Sequence, residues 1–188
     1  MTPSTPPSDA NAIQASFADP PAFGAIFDRH WAPIHRYCVM RAGTPGEDVA
    51  AETFRLAFDR RDHYDGRSNA RPWLFGIATN LLRELFRRSA RADRALRREL
   101  GSHPASGGID PFDAALHRIE AERLGPELAA ALANLPVVDR DALLLFACAE
   151  LGYDEIARAT AVPIGTVRSR IHRARAQVRG HLNALEVC

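Results

Sequence analysis

The stretch YDEIARATAVPIGTVRSRIHRARAQVR, residues 153–179, decides how this chain is read. It holds two helical patterns around a break. Ile156, Ala157 and Val162 belong to a first helix and its turn, and Val167, Ile171, Ala174 and Val178 recur at i, i+4, i+7 and i+11 in a second helix. Pro163 and Gly165 end the first helix and free the chain to turn, and Thr166 or Gly165 is placed to cap a helix starting near Val167. At about 100° per residue, the face opposite the apolar row carries Arg168, Ser169, His172, Arg173, Ala176 and Arg179, with Arg170 and Arg175 on its flanks. No acid interrupts it. Arginine binds guanine bidentately, serine bonds to bases or phosphates, and the N-terminal turns of such a helix reach base edges in the major groove. A solvated basic helix on a small bundle has the same composition, but the helix and tight turn before this one favour a DNA-reading element.

The 188 residues, 46% hydrophobic and 25% charged, suit one globular domain or two small ones. The formal net charge is only +1, so the distribution of charge matters more than its sum. Seven arginines lie in residues 83–98 against Glu84 and Asp93, five lie in 166–181 against no acid, and acidic residues gather in 110–155. All 24 cations are arginine, which speaks of the coding sequence more than of function. Cys38, Cys148 and Cys188 are far apart and read as idle thiols; His30 and His35 with Cys38 lack a fourth ligand and have Pro33 between them, so neither metal nor cofactor is expected. Paired carboxylates near a histidine, a nucleophile turn, a phosphate-binding glycine loop and H-E-x-x-H are all missing, and no catalytic residue is assigned. With no apolar run of membrane-spanning length and no signal pattern in MTPSTPPSDANAIQ, a cytoplasmic protein is expected.

Residues 1–18, rich in Pro, Ser and Thr, read as a disordered tail. Helical spacing then predicts a helix from Pro21 to about Arg41, with Asp19 as its cap and Pro33 as a bend or break. After the turn Gly43 to Gly46, a helix from Glu47 to about Arg61 buries Val49, Thr53, Leu56 and Ala57. Residues 63–72, HYDGRSNARP, form a loop. A third helix from about Pro72 buries Leu74, Ile77, Ala78, Leu81 and Leu85, and presents Asn80, Arg83, Glu84, Arg87, Arg88 and Arg91 on its other side, continued by Arg94 and Arg98. Trp73, Phe75 and Phe86 read as packing residues more than as a stacking platform. GSHPASGGIDP, residues 101–111, reads as an interdomain linker. Helices over 112–123, 126–135 and 138–151 lead into the element at 153–179, and no stretch reads as a strand. The fold class is all-α, two small helical bundles joined by a flexible linker.

With these motifs placed, the chain from about residue 20 to 183 resembles the extracytoplasmic-function group of the sigma-70 family of bacterial sigma factors. The resemblance rests on GEDVAAETFRLAF (46–58), ARPWLFGIATNLLRELFRR (70–88) and LPVVDRDALLLFACAELGYDEIARATAVPIGTVRSRIHRAR (135–175). It implies a tail over 1–18, a sigma-2-like domain over 19–98, a linker over 99–122 and a sigma-4-like helix-turn-helix domain over 123–183. It further implies a dissociable, non-enzymatic subunit that binds core RNA polymerase, recognises the −10 and −35 promoter elements and promotes initiation. Carried over residue by residue, Asp48, Glu52 and Phe54 lie in the helix that docks on polymerase. Asn80, Glu84, Arg87 and Arg88, with Arg83 and Arg91 on the same side, face the −10 element, and the 63–72 loop, with Tyr64 and Asn69, precedes them where an unstacked base is captured. Thr166, Arg168, Ser169, His172 and Arg173 stand where the family reaches the −35 major groove. Glu84 occupies a position where the family often has Asp, and Ala51 one where it often has Gln. A separate inhibitor such as an anti-sigma factor, or control of expression, is expected to regulate such a chain. The competing reading is a stand-alone helix-turn-helix regulator whose N-terminal bundle binds a ligand or dimerises; it predicts no basic face on that bundle, and the Asn80 to Arg98 helix has one.

Overall fold

The computed structural model describes residues 7–66, 69–99 and 125–186, and every regular element among them is helical. Four helices form a first unit: α1 (Asp9–Ala15), α2 (Gly24–Ala42), α3 (Pro45–Asp59) and α4 (Arg71–Glu99). Four more form a second: α5 (Pro126–Ala133), α6 (Val137–Ala147), α7 (Tyr153–Thr160) and α8 (Ile164–Glu186). The helix expected over 112–123 and, but for Glu99 at the end of α4, the linker expected over 99–122 lie outside the described residues.

The expected tail is a helix over Asp9–Ala15. The Ser8 hydroxyl caps it by accepting the Asn11 N–H at 3.2 Å, and Ala12 and Ile13 are buried. Two adjacent apolar residues, three and four positions after an anchored carboxylate, hold it, too little apolar content to stand out in a Pro- and Ser-rich stretch. Pro33 does not break α2, which runs through it, because His30, Ile34, Tyr37 and Cys38 on both sides of it are buried and outweigh the local penalty. Burial pushes the Cys38 thiol up to about 12, so it remains a neutral core group.

In α3, Pro45 suits the first turn, Glu47 and Asp48 favour the positive end of the helix, and Val49, Ala50, Thr53, Phe54 and Ala57 are buried. Any Cβ at Gly46 would run into the Cys38 carbonyl, so α3 starts hard against α2. Along α4 the fully inward row is Leu74, Phe75, Ala78, Leu82, Phe86 and Ala90, while Ile77, Leu81 and Leu85 are half-buried. The buried stripe is thus rotated from the expected one, and Phe75 and Phe86 belong to the core.

The second unit packs on the first. A Cβ at Gly76 of α4 would lie 2.6 Å from the carbonyl oxygen of Ala159 in α7, so these helices approach backbone to backbone. Asp141 of α6, with no exposed side-chain surface, accepts a hydrogen bond from Arg83 Nε at 2.6 Å, and Arg41 Nη1 lies 3.0 Å from its other oxygen as an ion-pair contact. Arg71 Nη2 donates to the Ala149 carbonyl at 2.5 Å, and Asn69 Nδ2 donates to Glu155 Oε1 at 3.2 Å.

Asp141→Asn is expected to cost on the order of 3–5 kcal/mol, because it leaves two arginines facing a neutral amide in a buried site, and chemical denaturation will measure it. Gly76→Ala sets a helix-propensity gain of about 1 kcal/mol against an overpacking cost of about 1–3 kcal/mol. Its expected result is a wider separation of the units in small-angle scattering with the helix content kept. Asp9 provides the pH test. Burial alone would raise its carboxyl, but the Ala70 N–H, the His30 ring and Arg29 outweigh burial and hold it below its usual range. Its stabilisation is therefore complete above the free aspartate value of about 3.9 and is lost as pH falls through the lower folded value. Asp9→Asn should flatten that acid limb of the stability curve.

Candidate nucleic-acid interface

The helix-turn-helix is built from α7 and α8. At the start of α7 the Glu155 carboxylate reaches back to accept the Gly152 N–H at 2.9 Å. At its end Ala161 takes a left-handed conformation at φ 53°, and the N–H groups of Ala161 and Val162 close on the carbonyls of Arg158 and Ala157. Pro163 then starts α8, its carbonyl accepting the N–H groups of Thr166 at 2.9 Å and Val167 at 3.2 Å. The helix therefore begins at Ile164, ahead of the expected start near Val167; neither Gly165 nor Thr166 caps it, and Thr166 is half-buried in the first turn.

Val167, Ile171 and Ala174 are buried and Val178 is half-buried, as the apolar spacing required. Arg168, Ser169, His172, Arg173, Arg175 and Arg179 are exposed. They differ in freedom. The Ser169 hydroxyl donates back to the Thr166 carbonyl at 2.9 Å, leaving it an acceptor for an outside partner. Arg168 lies over the Tyr153 ring at 5.9 Å and Arg175 over the Phe146 ring at 4.6 Å, with those two rings stacked at 5.4 Å. Arg173 is bound bidentately, Nε at 3.0 Å and Nη2 at 2.9 Å, to the two oxygens of Asp139, which is 2% exposed. That hydrogen bond raises the arginine further above its ordinary value and makes it a strut between α8 and α6. An open groove of about 660 Å³ runs beside this exposed basic face between Leu143, Tyr153, Ile171 and Val178.

On α4 the expected basic side divides. Arg83, Arg87, Arg91 and Arg94 line a cleft of about 480 Å³ against Val137 and Val138 of α6. Glu84 and Arg88 turn to the other flank, where they share a hollow of about 190 Å³ with Asp48 and Glu52 of α3. Glu84 accepts from Arg88 Nε at 3.0 Å and lies 3.9 Å from Arg87, and the Arg88 hydrogen bond holds its carboxyl below the usual range. Asn80, Arg87, Arg88 and Arg91 are exposed, whereas Arg83 is half-buried on Asp141. Of the residues expected at the polymerase, Asp48 is exposed and Glu52 is held by Arg55 at 2.5 and 2.7 Å. Phe54 is 5% exposed, with its ring 5.1 Å from Phe27 and 5.7 Å from Trp31, so it is a core residue and not a surface contact.

The loop before α4 bounds a small cleft of about 160 Å³ lined by His63, Tyr64, Asp65, Asn69, Pro72, Trp73 and, from the second unit, Arg158. Tyr64 and Trp73 tilt together at 5.3 Å, so Trp73 both packs and lines the cleft. The Tyr64 hydroxyl is buried without a hydrogen-bond partner among the described residues, and burial, aided by Asp65, pushes it up to about 12. It stays a neutral donor. Asn69 Oδ1 accepts the Arg71 N–H at 2.9 Å and so caps α4. Sequence reasoning missed Asp139, Asp141, Glu155 and Arg158 in these surfaces. The signal for the first two was there: carboxylates inside the apolar run VVDRDALLLF, where burial requires a cationic partner.

No group of three or more His, Cys, Asp and Glu among the described residues could hold a metal ion, and no helix among them is long and apolar enough to cross a membrane. The Sigma-70 region 2 family model matches residues 26–92, and the Sigma-70, region 4 model matches residues 126–178. The chain is similar to the ECF RNA polymerase sigma factor SigE of Mycolicibacterium smegmatis, with 34% identity over 93% of this chain and 65% of that one. It is 30% identical to the ECF RNA polymerase sigma factor SigW of Bacillus subtilis over 92% of this chain and 95% of that one. The solved structure of CnrH in complex with the cytosolic domain of CnrY superposes with a TM-score of 0.65 at 27% identity, covering 94% of this chain and 97% of that one.

Arg173→Ala should lower the melting temperature by a few degrees by stranding Asp139, while Arg168→Ala leaves it unchanged; paired thermal melts will separate the strut from the arginine that meets only a ring.

Proposed function

This chain belongs to the extracytoplasmic-function group of the sigma-70 family of RNA polymerase sigma factors, and from that premise we propose how its surfaces divide the work. It is a transcription initiation factor and not an enzyme. The α8 face reads the −35 element, with Arg168, Ser169 and His172 as the free reading groups and Thr166 and Arg173 as supports that also meet the backbone. Asn80 and the Arg83, Arg87 and Arg91 flank of α4 face the −10 element. Asp48 and Glu52, joined by Glu84 and Arg88 in the same hollow, meet core polymerase. The cleft at Tyr64, Asn69 and Trp73 takes a displaced base: it offers a ring to stack on and a buried phenol hydroxyl that lacks a partner. Unstacking a base costs a few kcal/mol, so capture stabilises the opened strand.

The observation that carries this reading is the pair of separate basic surfaces, one on each unit, together with that unpartnered hydroxyl. Polymerase holds the two units at a fixed spacing, so that two modest affinities combine through effective concentration. The domains run over 19–98 and 123–183 with a linker between, and the protein works in the cytoplasm beside the promoter DNA it reads. A separate anti-sigma factor holds the chain inactive, a reading supported by CnrH, which is solved bound to the cytosolic domain of CnrY.

Run-off transcription with core polymerase tests the assignment. Arg168→Ala should reduce discrimination at one −35 base pair by roughly five- to hundredfold and leave the ranking elsewhere intact. Arg87→Ala and Arg91→Ala should weaken all promoters alike and reduce the salt dependence by about one phosphate each. An unchanged ranking of −35 variants with Arg168→Ala would remove the groove assignment.

A further inference from the structure

Helix α1 precedes the region 2 match, which begins at residue 26. Its single charged group, Asp9, is 3% exposed and lies beneath the start of α4. Asp9 Oδ2 accepts the backbone N–H of Ala70 at 2.7 Å and pairs with His30 Nε2 at 2.8 Å, while Oδ1 meets the Arg29 guanidinium. Arg29 also donates to the Pro7 carbonyl at 2.8 Å, so the carboxylate is both charged and aimed. Ala70 is itself without exposed surface and follows Asn69, whose side chain holds the next N–H, that of Arg71. The first two free N–H groups at the start of α4 are thus held by one carboxylate brought from α1 and one amide from the cleft wall. A buried N–H deprived of its acceptor is costly, and a negative charge at this end of a helix is favourable.

We propose that Asp9 is a positioning residue for −10 recognition: by clamping the Ala70 N–H it sets Asn69 and the first turn of α4 against Tyr64 and so fixes the shape of the base-capturing cleft. The proposal rests on the reading of that cleft as a base pocket. Asp9 touches no DNA itself. It acts through the one peptide that joins the loop to the helix, and α1 is thereby part of the promoter-reading apparatus instead of a leader.

The test is transcription with core polymerase from promoters whose −10 positions are varied one base at a time, comparing the full-length wild type with Asp9→Ala, Asp9→Asn and Ile13→Ala. Ile13, 2% exposed on the same helix, controls for loss of α1 packing while leaving Asp9, the acceptor of the Ala70 N–H, unchanged. At a temperature where all variants are folded, Asp9→Ala should weaken the base preference at one −10 position by about tenfold. Ile13→Ala should keep the preference. Asp9→Asn should keep most of it, because the amide oxygen still accepts from Ala70. Amide exchange at Ala70 should quicken in Asp9→Ala alone. If Asp9→Ala lowers transcripts from all templates in the same proportion as Ile13→Ala, with preference and Ala70 exchange unchanged, α1 is an anchor only and the proposal falls by itself. A wild type with no base preference at any −10 position overturns the cleft reading and the proposal together.

Discussion

Asp141, fully buried between Arg83 of α4 and Arg41 of α2, ties the second helical unit to the first. A carboxylate in such a place is tolerated only with cationic partners at hydrogen-bonding range, and both partners come from the other unit. Once α6 is held there, α7 drops onto α4 at Gly76, where no side chain intervenes, Arg158 arrives at the Tyr64 cleft and Glu155 meets Asn69 of its wall. The placement of both basic surfaces follows from this pair. It also means that Arg83 and Asn69 are engaged within the molecule, by Asp141 and Glu155 of the second unit.

The arginines sort by the same logic. A guanidinium that meets a buried carboxylate becomes a strut, through one bond for Arg83 on Asp141 and as a fork for Arg173 on Asp139; one that meets only rings or exposed acids keeps more of its donors in water. Arg168 over Tyr153 and Arg175 over Phe146 are of the second kind, their planes supported by stacking while their edges stay in water. A net charge near neutrality is thus compatible with two strongly basic faces, since part of the acid content is buried as partner to particular arginines. The division of α4, with Arg83, Arg87 and Arg91 toward α6 and Glu84 and Arg88 toward α3, lets one helix serve two neighbours, because rows that start one residue apart lie about 100° apart around its axis.

The all-helical fold, the helix-turn-helix and the buried row of α8 were legible in the sequence, because Val167, Ile171 and Ala174 keep helical period and Pro163 breaks the chain between two periodic runs. The Pro72 start of α4 and the core nature of Phe75 and Phe86 were legible for the same reason. Less was visible where tertiary contacts overrode local signals. Pro33 stays in α2 because buried residues flank it, and Phe54 is core because Phe27 and Trp31 close over it. Helix α1 forms because Ala12 and Ile13 find the first unit.

The sequence by itself determined which segments are helical, which helix faces are apolar and where cations concentrate, since periodicity and charge are properties of neighbours along the chain. The tertiary structure alone decided which arginines are free, which carboxylates are buried beside them, and that Asp9 reaches the start of α4 from 61 residues away. Pairing between distant residues depends on how helices cross and on what burial excludes from water, and neither is written in the spacing of one segment.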